Sequence, residues 1–416
     1  MVCAKQTRKP CKPEDELMVR STSLFGQLLE LFPRNEFYRA VCHHNAERYA
    51  KGFTCWEQFV AMLFCQLAQA HSLREICGGL ACCLGKLTHL GVKRAPKKST
   101  LAYANEHRPW QLYETVFGQL LMKCRTLAKG RTKFRFRNKL YSMDASTIDL
   151  CLTLFDWAKF RQTKGAVKLH LLLDHEGYLP TFAVITTGKV HDVKVAQKLS
   201  FPAGSIVAMD RGYNDYDMFG RWTEQQTYFV TRLKRNATYR VIERRRAPRH
   251  LGILCDQVIL LTGHAAQRDC PYPLRRIKYR DPETGDVLVF VTNHLDFGPT
   301  TIARIYKDRW QVELFFKALK QNLKIKTFVG TSANALRIQI WTALIAILLL
   351  KYLQFRSRLN WALSNLVAFL RWNLFTYREL WIWIDDPFHT PPLGPPVQQL
   401  ALALPVLGQQ KGEPRT

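Results

Sequence analysis

The stretch from residue 131 to residue 234 constrains the fold more than any other part of the chain. It begins with three runs of strand character, and residues 175–177 form a hairpin turn between the last two: YSMDASTIDL, AVKLHLLLD and YLPTFAVITT. A helical segment at about 192–199 follows, and then the strand SIVAMD. A helical stretch around 216–225 leads to the strand TYFVTRLK. The predicted order is three antiparallel strands, a helix, a strand, a helix and a strand.

This order is that of the ribonuclease-H-like fold, so we expect an α/β protein with such a core. Residues 235–296 hold many cations and short runs such as QVILLTG and DVLVFVTN, which predict a β insertion. Apolar residues have helical spacing before residue 128 and again from Pro299. The predicted parts are a loose N-terminus at 1–20, a helical domain at 22–128, the catalytic core with its insertion at 131–330, C-terminal helices at 331–385 and a disordered tail at 386–416, rich in proline.

The charge balance points to a polyanionic partner. The chain has 61 Lys and Arg against 33 Asp and Glu, a formal net charge of +28. Local ion pairing cannot cancel such a surplus, and the positive field that remains favours nucleic acid. A solubility surplus or binding to an anionic membrane is the alternative interpretation.

Other features favour a cytoplasmic protein. The most apolar run, Ile338 to Leu350, is shorter than the roughly 20 residues of a membrane span, so we expect a buried helix there. The N-terminus lacks the apolar core of a signal peptide. The 12 cysteines include no C-x-x-C pair, which argues against a zinc module and for buried thiols in a reducing compartment.

Two aspartates stand where a metal ligand would be useful. Asp144 lies in an otherwise apolar strand, where an inward carboxylate is costly without a partner or a metal. Asp210 ends an apolar strand and precedes a turn that begins with Arg211. Each could instead be a turn or capping residue. Asp149 has the opposite side-chain parity to Asp144, and the hairpin turn explains Asp174.

The segment IARIYKDRWQVELFFKALKQNLKI predicts one helix with a polar face. At about 100° per residue, an arc of roughly 80° holds one carboxylate, one tyrosine and three cations. These residues are Tyr306, Arg309, Glu313, Lys317 and Lys320. A different face, Val312, Phe315 and Leu319, would pack on the sheet. The polar face suits a metal ligand among phosphate contacts, or a solvated face with ion pairs four residues apart.

The N-terminal helices hold a candidate DNA-binding element. A helix over residues 56–70 is followed by one that Ser72 caps, with Glu75 completing a capping box. This shape fits a helix-turn-helix, although an ordinary packed hairpin fits the pattern better. Ser99 is predicted to cap a further helix through about residue 106. Four cations precede that helix: Lys93, Arg94, Lys97 and Lys98.

Together these motifs resemble a known family. The spacing Tyr306-x2-Arg309-x3-Glu313-x6-Lys320 resembles the Y-R-E-K signature of the insertion-sequence-four transposases. YSMDAST and VAMDRGY resemble the family's two aspartate motifs, and FGQLLELFPRNEFYRAV and SLREI resemble the helical domain of one branch. The resemblance covers about residues 20–380.

The resemblance implies cut-and-paste transposition by a bacterial enzyme. Asp144, Asp210 and Glu313 would bind two Mg²⁺ ions, for which Mn²⁺ can substitute. The predicted phosphate contacts are Tyr306, Arg309, Lys320, Lys317, Arg211 and the cations Lys93, Arg94, Lys97 and Lys98. Some members cut the second strand through a DNA hairpin and stack a flipped base on a tryptophan of the insertion. Residues 223–305 contain no tryptophan, so a tyrosine would take that place, and we favour Tyr239 over Tyr228, Tyr272 and Tyr279.

The predicted partner is double-stranded DNA, both the inverted-repeat ends and the target. A homodimer in the DNA complex and association with the nucleoid are expected. Two other functions remain open on the sequence. One is a structure-selective nuclease of the same fold, which would join no strands. The other is a domesticated derivative that only binds DNA.

Overall fold

The structure, a computed structural model, describes residues 22–48, 50, 52–83, 85–161, 164–325 and 327–393. The loose segment predicted at 1–20 and the tail from residue 394 onward lie outside these residues.

The N-terminal region is helical, as predicted. Its helices are α1 (Leu24–Leu29), α2 (Arg34–His43), α3 (Cys55–Leu67), α4 (Leu73–Ala81), α5 (Lys98–His107) and α6 (Gln111–Ala128). Ser72 caps α4 by accepting from the Glu75 amide at 3.2 Å, whereas the Glu75 carboxylate reaches back to the amide of His71. The cap predicted at Ser99 is wrong, because α5 begins one residue before it, at Lys98, and has no side-chain cap.

The next elements build one large sheet. The strands are β1 (Leu140–Leu150), β2 (Lys159–Arg161), β3 (Lys164–Asp174), β4 (Leu179–Thr187), β5 (Ile206–Met209), β6 (Tyr228–Arg232), β7 (Tyr239–Arg245), β8 (Ile253–Leu261), β9 (Leu274–Arg280) and β10 (Val287–Thr292). Three helices lie among them in the chain: α7 (Asp192–Ala196), α8 (Tyr216–Glu224) and α9 (His264–Asp269). β3 lies antiparallel between β1 and β4, and β5 and β6 continue parallel from β1. The order β4-β3-β1-β5-β6 confirms the ribonuclease-H-like core.

The predicted β insertion is confirmed, and it continues the core sheet. β10 pairs antiparallel with β6, and β9, β8 and β7 follow outward in turn. Without β10, one side of β6 would be an edge with unpaired backbone groups. The insertion therefore extends the catalytic sheet beyond the strand that carries Arg232.

The last helices are α10 (Pro299–Asp308), α11 (Gln311–Asn322), α12 (Ala333–Arg356), α13 (Leu363–Asn373) and α14 (Leu380–Asp385). The single helix expected across residues 302–325 is wrong, because a turn at Arg309 and Trp310 separates α10 from α11. The backbone tightens there: the Val312 amide donates to the Arg309 carbonyl three residues before it, at 3.1 Å. We call this turn the α10–α11 joint.

Helix α12 is the centre of the helical part. The predicted buried helix is confirmed, since every residue from Ile338 to Leu350 is buried. Of the described helices, α12 alone is long and apolar enough to cross a membrane by length and composition, but most of it is buried inside the protein. Trp341 packs against Phe117 of α6 with ring centroids 5.2 Å apart. The N-terminal and C-terminal helices and one face of the sheet thus share one hydrophobic core.

The first residues of the predicted disordered tail are held against the helices. The Thr390 hydroxyl donates to the Asp386 carbonyl at 2.6 Å, and the Arg378 side chain donates to the carbonyl of Thr390. Residues 386–393 thus make polar contacts in the structure, and disorder of the tail stays a prediction.

Candidate active site

The two predicted aspartates lie side by side on neighbouring strands. The last residues paired between β1 and β5 are Met143 and Met209, and Asp144 and Asp210 directly follow them. Parallel strands lie about 4.8 Å apart, and side chains in register point to the same face. Asp144 and Asp210 therefore project together at one end of this strand pair, as two acids near a metal would have to.

Glu313 joins this pair through an arginine. It lies in the first turn of α11, whose opposite face buries the predicted residues Val312, Phe315 and Leu319. Nη2 of Arg309 donates to Oε1 of Glu313 at 2.7 Å, and Nη1 lies 3.8 Å from Oδ2 of Asp144. One guanidinium thus neutralises an acid of the sheet and an acid of the helix.

Burial makes the charge of Asp144 costly. The pKa of its carboxyl is raised to about 6, chiefly because the group is withdrawn from water. A hydrogen bond from the Ala145 amide and the charge of Arg309 lower the pKa, while Glu313 and Asp210 raise it. A carboxylate in such surroundings gains from any further positive charge beside it.

Tyr306 lies against Asp210. Its hydroxyl is 3.5 Å from Oδ1 of Asp210, and its ring packs on Phe290 with centroids 4.8 Å apart. Burial raises the pKa of this phenol, so the hydroxyl keeps its proton and can donate. The guanidinium carbon of Arg309 lies 5.5 Å from the Tyr306 ring centroid.

An open cleft of about 430 Å³ runs beside Asp144 and Glu313. Its walls include Lys317, Lys320 and Phe316. Nζ of Lys320 donates to the backbone carbonyl of Thr147 at 3.0 Å, which anchors α11 to β1. The polar face of α11 therefore carries Lys317 and Lys320 along the wall of this cleft.

The donor set suits a hard divalent cation, although the side chains are arranged around Arg309. Asp144, Asp210 and Glu313 offer only oxygen donors, which Mg²⁺ and Mn²⁺ prefer. Among the described residues, no three His, Cys, Asp or Glu side chains form a group poised to hold a metal. Because burial raises the pKa of the Asp144 carboxyl, a cation bound beside it would stabilise its charged form. The three acids would hold such a cation only if Arg309 moved away from Asp144 and Glu313.

The other predicted DNA contacts are dispersed. Arg211 is exposed in the turn after Asp210, and Tyr239 is half-buried on β7, with the guanidinium carbon of Arg276 lying 5.3 Å from its ring centroid. The four predicted cations before and at the start of α5 are all exposed: Lys93, Arg94, Lys97 and Lys98. Every residue of α3 is buried, so only α4 of the proposed helix pair can present side chains to DNA.

The α10–α11 joint presents an exposed aromatic residue that the sequence patterns do not single out. Trp310 lies in the α10–α11 joint between Arg309 and α11, and 54% of its surface is exposed. The predicted single helix treats Trp310 as an ordinary position, and its exposure goes with the turn at Arg309 and Trp310, which apolar periodicity does not report.

The fold and this cluster define a class of enzyme, the nucleic-acid phosphoryltransferases with a ribonuclease-H-like core. Residues 135–349 match the family model described as transposase DDE domain, and residues 20–93 match one described as a domain of unknown function, DUF4372. The first match covers just over half of the chain, so the chain belongs to the DDE transposase family.

Three relatives support this membership. The chain is 30% identical over 307 residues to a protein of Sinorhizobium fredii described as a transposase, covering 72% of this chain and 83% of that protein. It is 30% identical over 278 residues to the transposase described for insertion sequence element IS5377 of Geobacillus stearothermophilus, covering 66% and 72%. It is 25% identical over 274 residues to the one described for element IS4SA of Synechocystis sp., covering 61% and 71%.

A solved structure of a piggyBac transposase synaptic complex with hairpin DNA aligns with a TM-score of 0.43 and 9% identity, over 89% of this chain and 82% of that one. This likeness is too slight to carry an argument.

Family and relatives make the protein a DNA transposase of the insertion-sequence-four type, an enzyme that binds DNA. The family uses divalent metal ions. All three relatives are bacterial, and two of them are described for insertion sequence elements.

Proposed function

We propose that Asp144, Asp210 and Glu313 hold two Mg²⁺ ions, or Mn²⁺ in their place, and that the enzyme cuts the ends of its element and transfers them to target DNA. The observation that carries this proposal is the convergence of three acids from separate elements: Asp144 on β1, Asp210 directly after the neighbouring strand β5, and Glu313 on α11, which Arg309 ties to Asp144. Bound metal would supply the activated water or 3′-hydroxyl and stabilise the leaving oxygen.

Arg309 has two tasks in this proposal. Without metal, it keeps the acids from repelling one another, since its side chain is 10% exposed and contacts Asp144 and Glu313. Its Nε–H has no hydrogen-bond partner among the described residues. When metal replaces its charge, the guanidinium is free to turn and grip a phosphate, for which its planar fork is suited.

The cations along the cleft position the DNA. Lys317 and Lys320 line it from α11, Arg211 is exposed in the turn after Asp210, and the Tyr306 hydroxyl can donate to a phosphate oxygen near Asp210. Contacts of this kind fix the register of the backbone and carry no sequence information. Recognition of the element's end must therefore come from elsewhere.

We assign that recognition to the helical region at 22–128, with catalysis at 131–330 and support at 331–385. The exposed Lys93, Arg94, Lys97 and Lys98 give this region its cationic surface. Because these helices share a core with α12, the regions are units of function within one folded body. In the DNA complex we expect a homodimer, one copy for each end, and association with the nucleoid.

Iron-directed cleavage of the protein tests the metal site without relying on activity. Fe²⁺ replaces Mg²⁺ at oxygen sites, and with ascorbate and peroxide it cuts the backbone next to where it is bound. Cuts are expected near residues 144, 210 and 313, and excess Mg²⁺ should suppress them. Asp144→Asn should abolish all three, whereas Asp149→Asn, exposed on the same strand, should not. Cuts elsewhere would place the metal at another site.

A further inference from the structure

A second chain of polar side chains lies behind the candidate active site. Oγ of Ser142 is 2.6 Å from Nε2 of His175, and Nδ1 of His175 is 2.8 Å from Oδ2 of Asp308. Ser142 belongs to β1, two residues before Asp144, and His175 begins the turn after β3. Asp308 is the last residue of α10. We call these three residues the relay.

The relay resembles the serine, histidine and aspartate of a hydrolase, but its burial excludes that use. Ser142 is 0% exposed, and His175 and Asp308 are each at most 4% exposed. A nucleophilic serine needs a substrate beside it, and none can reach Ser142. Buried polar groups of this kind are kept where each has a partner and holds its neighbours in one arrangement.

Asp308 is anchored on all sides. The Tyr178 hydroxyl donates to its Oδ2 at 3.0 Å, and Nζ of Lys133 donates to Oδ1 at 2.8 Å. Burial raises the pKa of the Asp308 carboxyl, but the bonds from His175 and Lys133 outweigh it and leave the pKa below its usual value. The charged carboxylate therefore fastens the end of α10 to β1, to the β3–β4 turn and to the segment after α6.

What the relay fastens is the joint that carries the candidate site. Asp308 immediately precedes Arg309, and the turn through Trp310 sets the direction of α11 and hence of Glu313. At its other end, the relay holds β1 at Ser142, on the same face of the strand as Asp144. It is thus a second connection between β1 and the α10–α11 joint, made by buried side chains.

We propose that Ser142, His175 and Asp308 are positioning residues, which set the α10–α11 joint so that Arg309 and Glu313 face Asp144. This inference rests on the proposed role of those acids. Freed from the relay, the end of α10 can shift, and a misplacement of about 1 Å costs on the order of 100-fold in rate. Binding of end DNA, which depends on surface cations, should be unaffected.

The test compares Asp308→Asn with Asp174→Asn in the full chain. Asp174 is also buried and lies next to His175, but it bonds the Glu176 amide and Lys139 outside the relay. For Asp308→Asn we expect a single-turnover cleavage rate at least about 10-fold lower than that of the wild type, with unchanged affinity for end DNA. In 5-fluorotryptophan protein the ¹⁹F resonance of Trp310, assigned by its loss in Trp310→Phe, should shift. Asp174→Asn should change none of these.

If the relay has a purely structural role, Asp308→Asn lowers the melting temperature but leaves the Trp310 resonance of the folded protein in place. That result overturns the proposal. So does a shifted resonance with wild-type cleavage. If Asp308→Asn does not fold, Ser142→Ala, which removes only the far end of the relay, decides by the same measurements. Glu313→Gln is assayed in parallel: if it cleaves normally, the proposed site is wrong, while the resonance still reports whether the relay sets the joint.

Discussion

Nη2 of Arg309, in the α10–α11 joint, donates to Oε1 of Glu313 in the first turn of α11 at 2.7 Å. The same guanidinium lies 3.8 Å from Asp144. The arginine side chain is only 10% exposed, so Arg309 and Glu313 do not form a solvent-exposed ion pair. The alternative of a solvated face with ion pairs is thus right about the Arg309–Glu313 pair and wrong about its setting, because Arg309 is buried. In the proposed metal site, this buried guanidinium would offset the repulsion between the two acids before a metal binds.

Removing any one of the three acids should stop catalysis. Asp144→Asn, Asp210→Asn and Glu313→Gln keep the shape of each side chain but lose the charge that would hold metal. We expect cleavage and strand transfer in Mg²⁺ to fall below detection, with affinity for end DNA within about twofold of wild type. Gel assays of cleavage and gel shifts measure the two properties.

Asp149→Asn is the matched control, since Asp149 lies on the same strand and is exposed on the other face. It should cleave normally. Wild-type cleavage by any of the three variants would remove that residue from the site. Cleavage without strand transfer by the wild type would favour the structure-selective nuclease instead.

The sequence predicted most of the core and the location of the acids, for a physical reason. Apolar periodicity reports which face of an element is buried, so strand order and the burial of Val312 and α12 followed from it. Periodicity does not report pairing between distant strands, and β10 joining β6 was therefore not foreseen. Nor does it show hydrogen bonds at a helix turn, so the joint at Arg309 and the relay behind it were missed.

Asp144 should make the metal-free protein less stable as pH rises. Its pKa is near its ordinary 3.8 in the unfolded chain and about 6 in the folded protein. Between these values the folded state binds more protons, so stability falls with rising pH through this window and the loss is complete above it. The shift corresponds to about 2 to 3 kcal/mol.

Asp144→Asn, which has no charge to bury, should therefore be more stable than wild type by about 2 to 3 kcal/mol at about pH 8 in a chelator, and by about 1 kcal/mol at about pH 4.5. Urea unfolding followed by circular dichroism measures both. Asp149→Asn should match wild type at each pH. A gain for Asp144→Asn that did not shrink in acid would contradict the assigned pKa.

The cleft cations should matter for cleavage more than for folding. Lys317→Ala and Lys320→Ala are expected to slow cleavage of end DNA about 10-fold each, because cations beside Glu313 position the scissile phosphate. Lys320→Ala also loses its bond to Thr147. Lys307→Ala, an exposed lysine of α10 paired with Glu283, is the control. Single-turnover rates are compared on identical DNA. If both variants cleave at the wild-type rate, Lys317 and Lys320 do not position the scissile phosphate, and a solvated face is the correct interpretation.

The cations before α5 should govern binding of the element's end. We expect Lys93→Ala, Arg94→Ala, Lys97→Ala and Lys98→Ala, combined in the full chain, to weaken binding and flatten its salt dependence. Each lost phosphate contact reduces the slope of log K against log salt by about 0.9. Fluorescence anisotropy over a salt series measures this, with Lys129→Ala, an exposed lysine after α6, as control. An unchanged slope would assign end binding to another surface.

An aromatic residue should receive an extruded base if the second strand is cut through a DNA hairpin. If the freed 3′-hydroxyl attacks the opposite strand, the DNA at the tip is strained, and extruding a base relieves that strain at a stacking cost of a few kcal/mol unless an aromatic face receives it. Tyr239 was favoured because Lys234, Arg235 and Arg240 surround it. In the structure Tyr239 is half-buried on β7, whereas Trp310 is 54% exposed beside Arg309.

Trp310→Ala should therefore reduce the hairpin product more than Tyr239→Ala, by about 10-fold, since base stacking on an aromatic side chain contributes about 1 to 3 kcal/mol. On denaturing gels a hairpin runs as a closed species of doubled length. Trp372→Ala, exposed on α13 and outside the cleft, is the control. The opposite order of the two variants would restore Tyr239 as the stacking residue. Nicked and double-cut products without the closed species at any time would exclude the hairpin route for this enzyme.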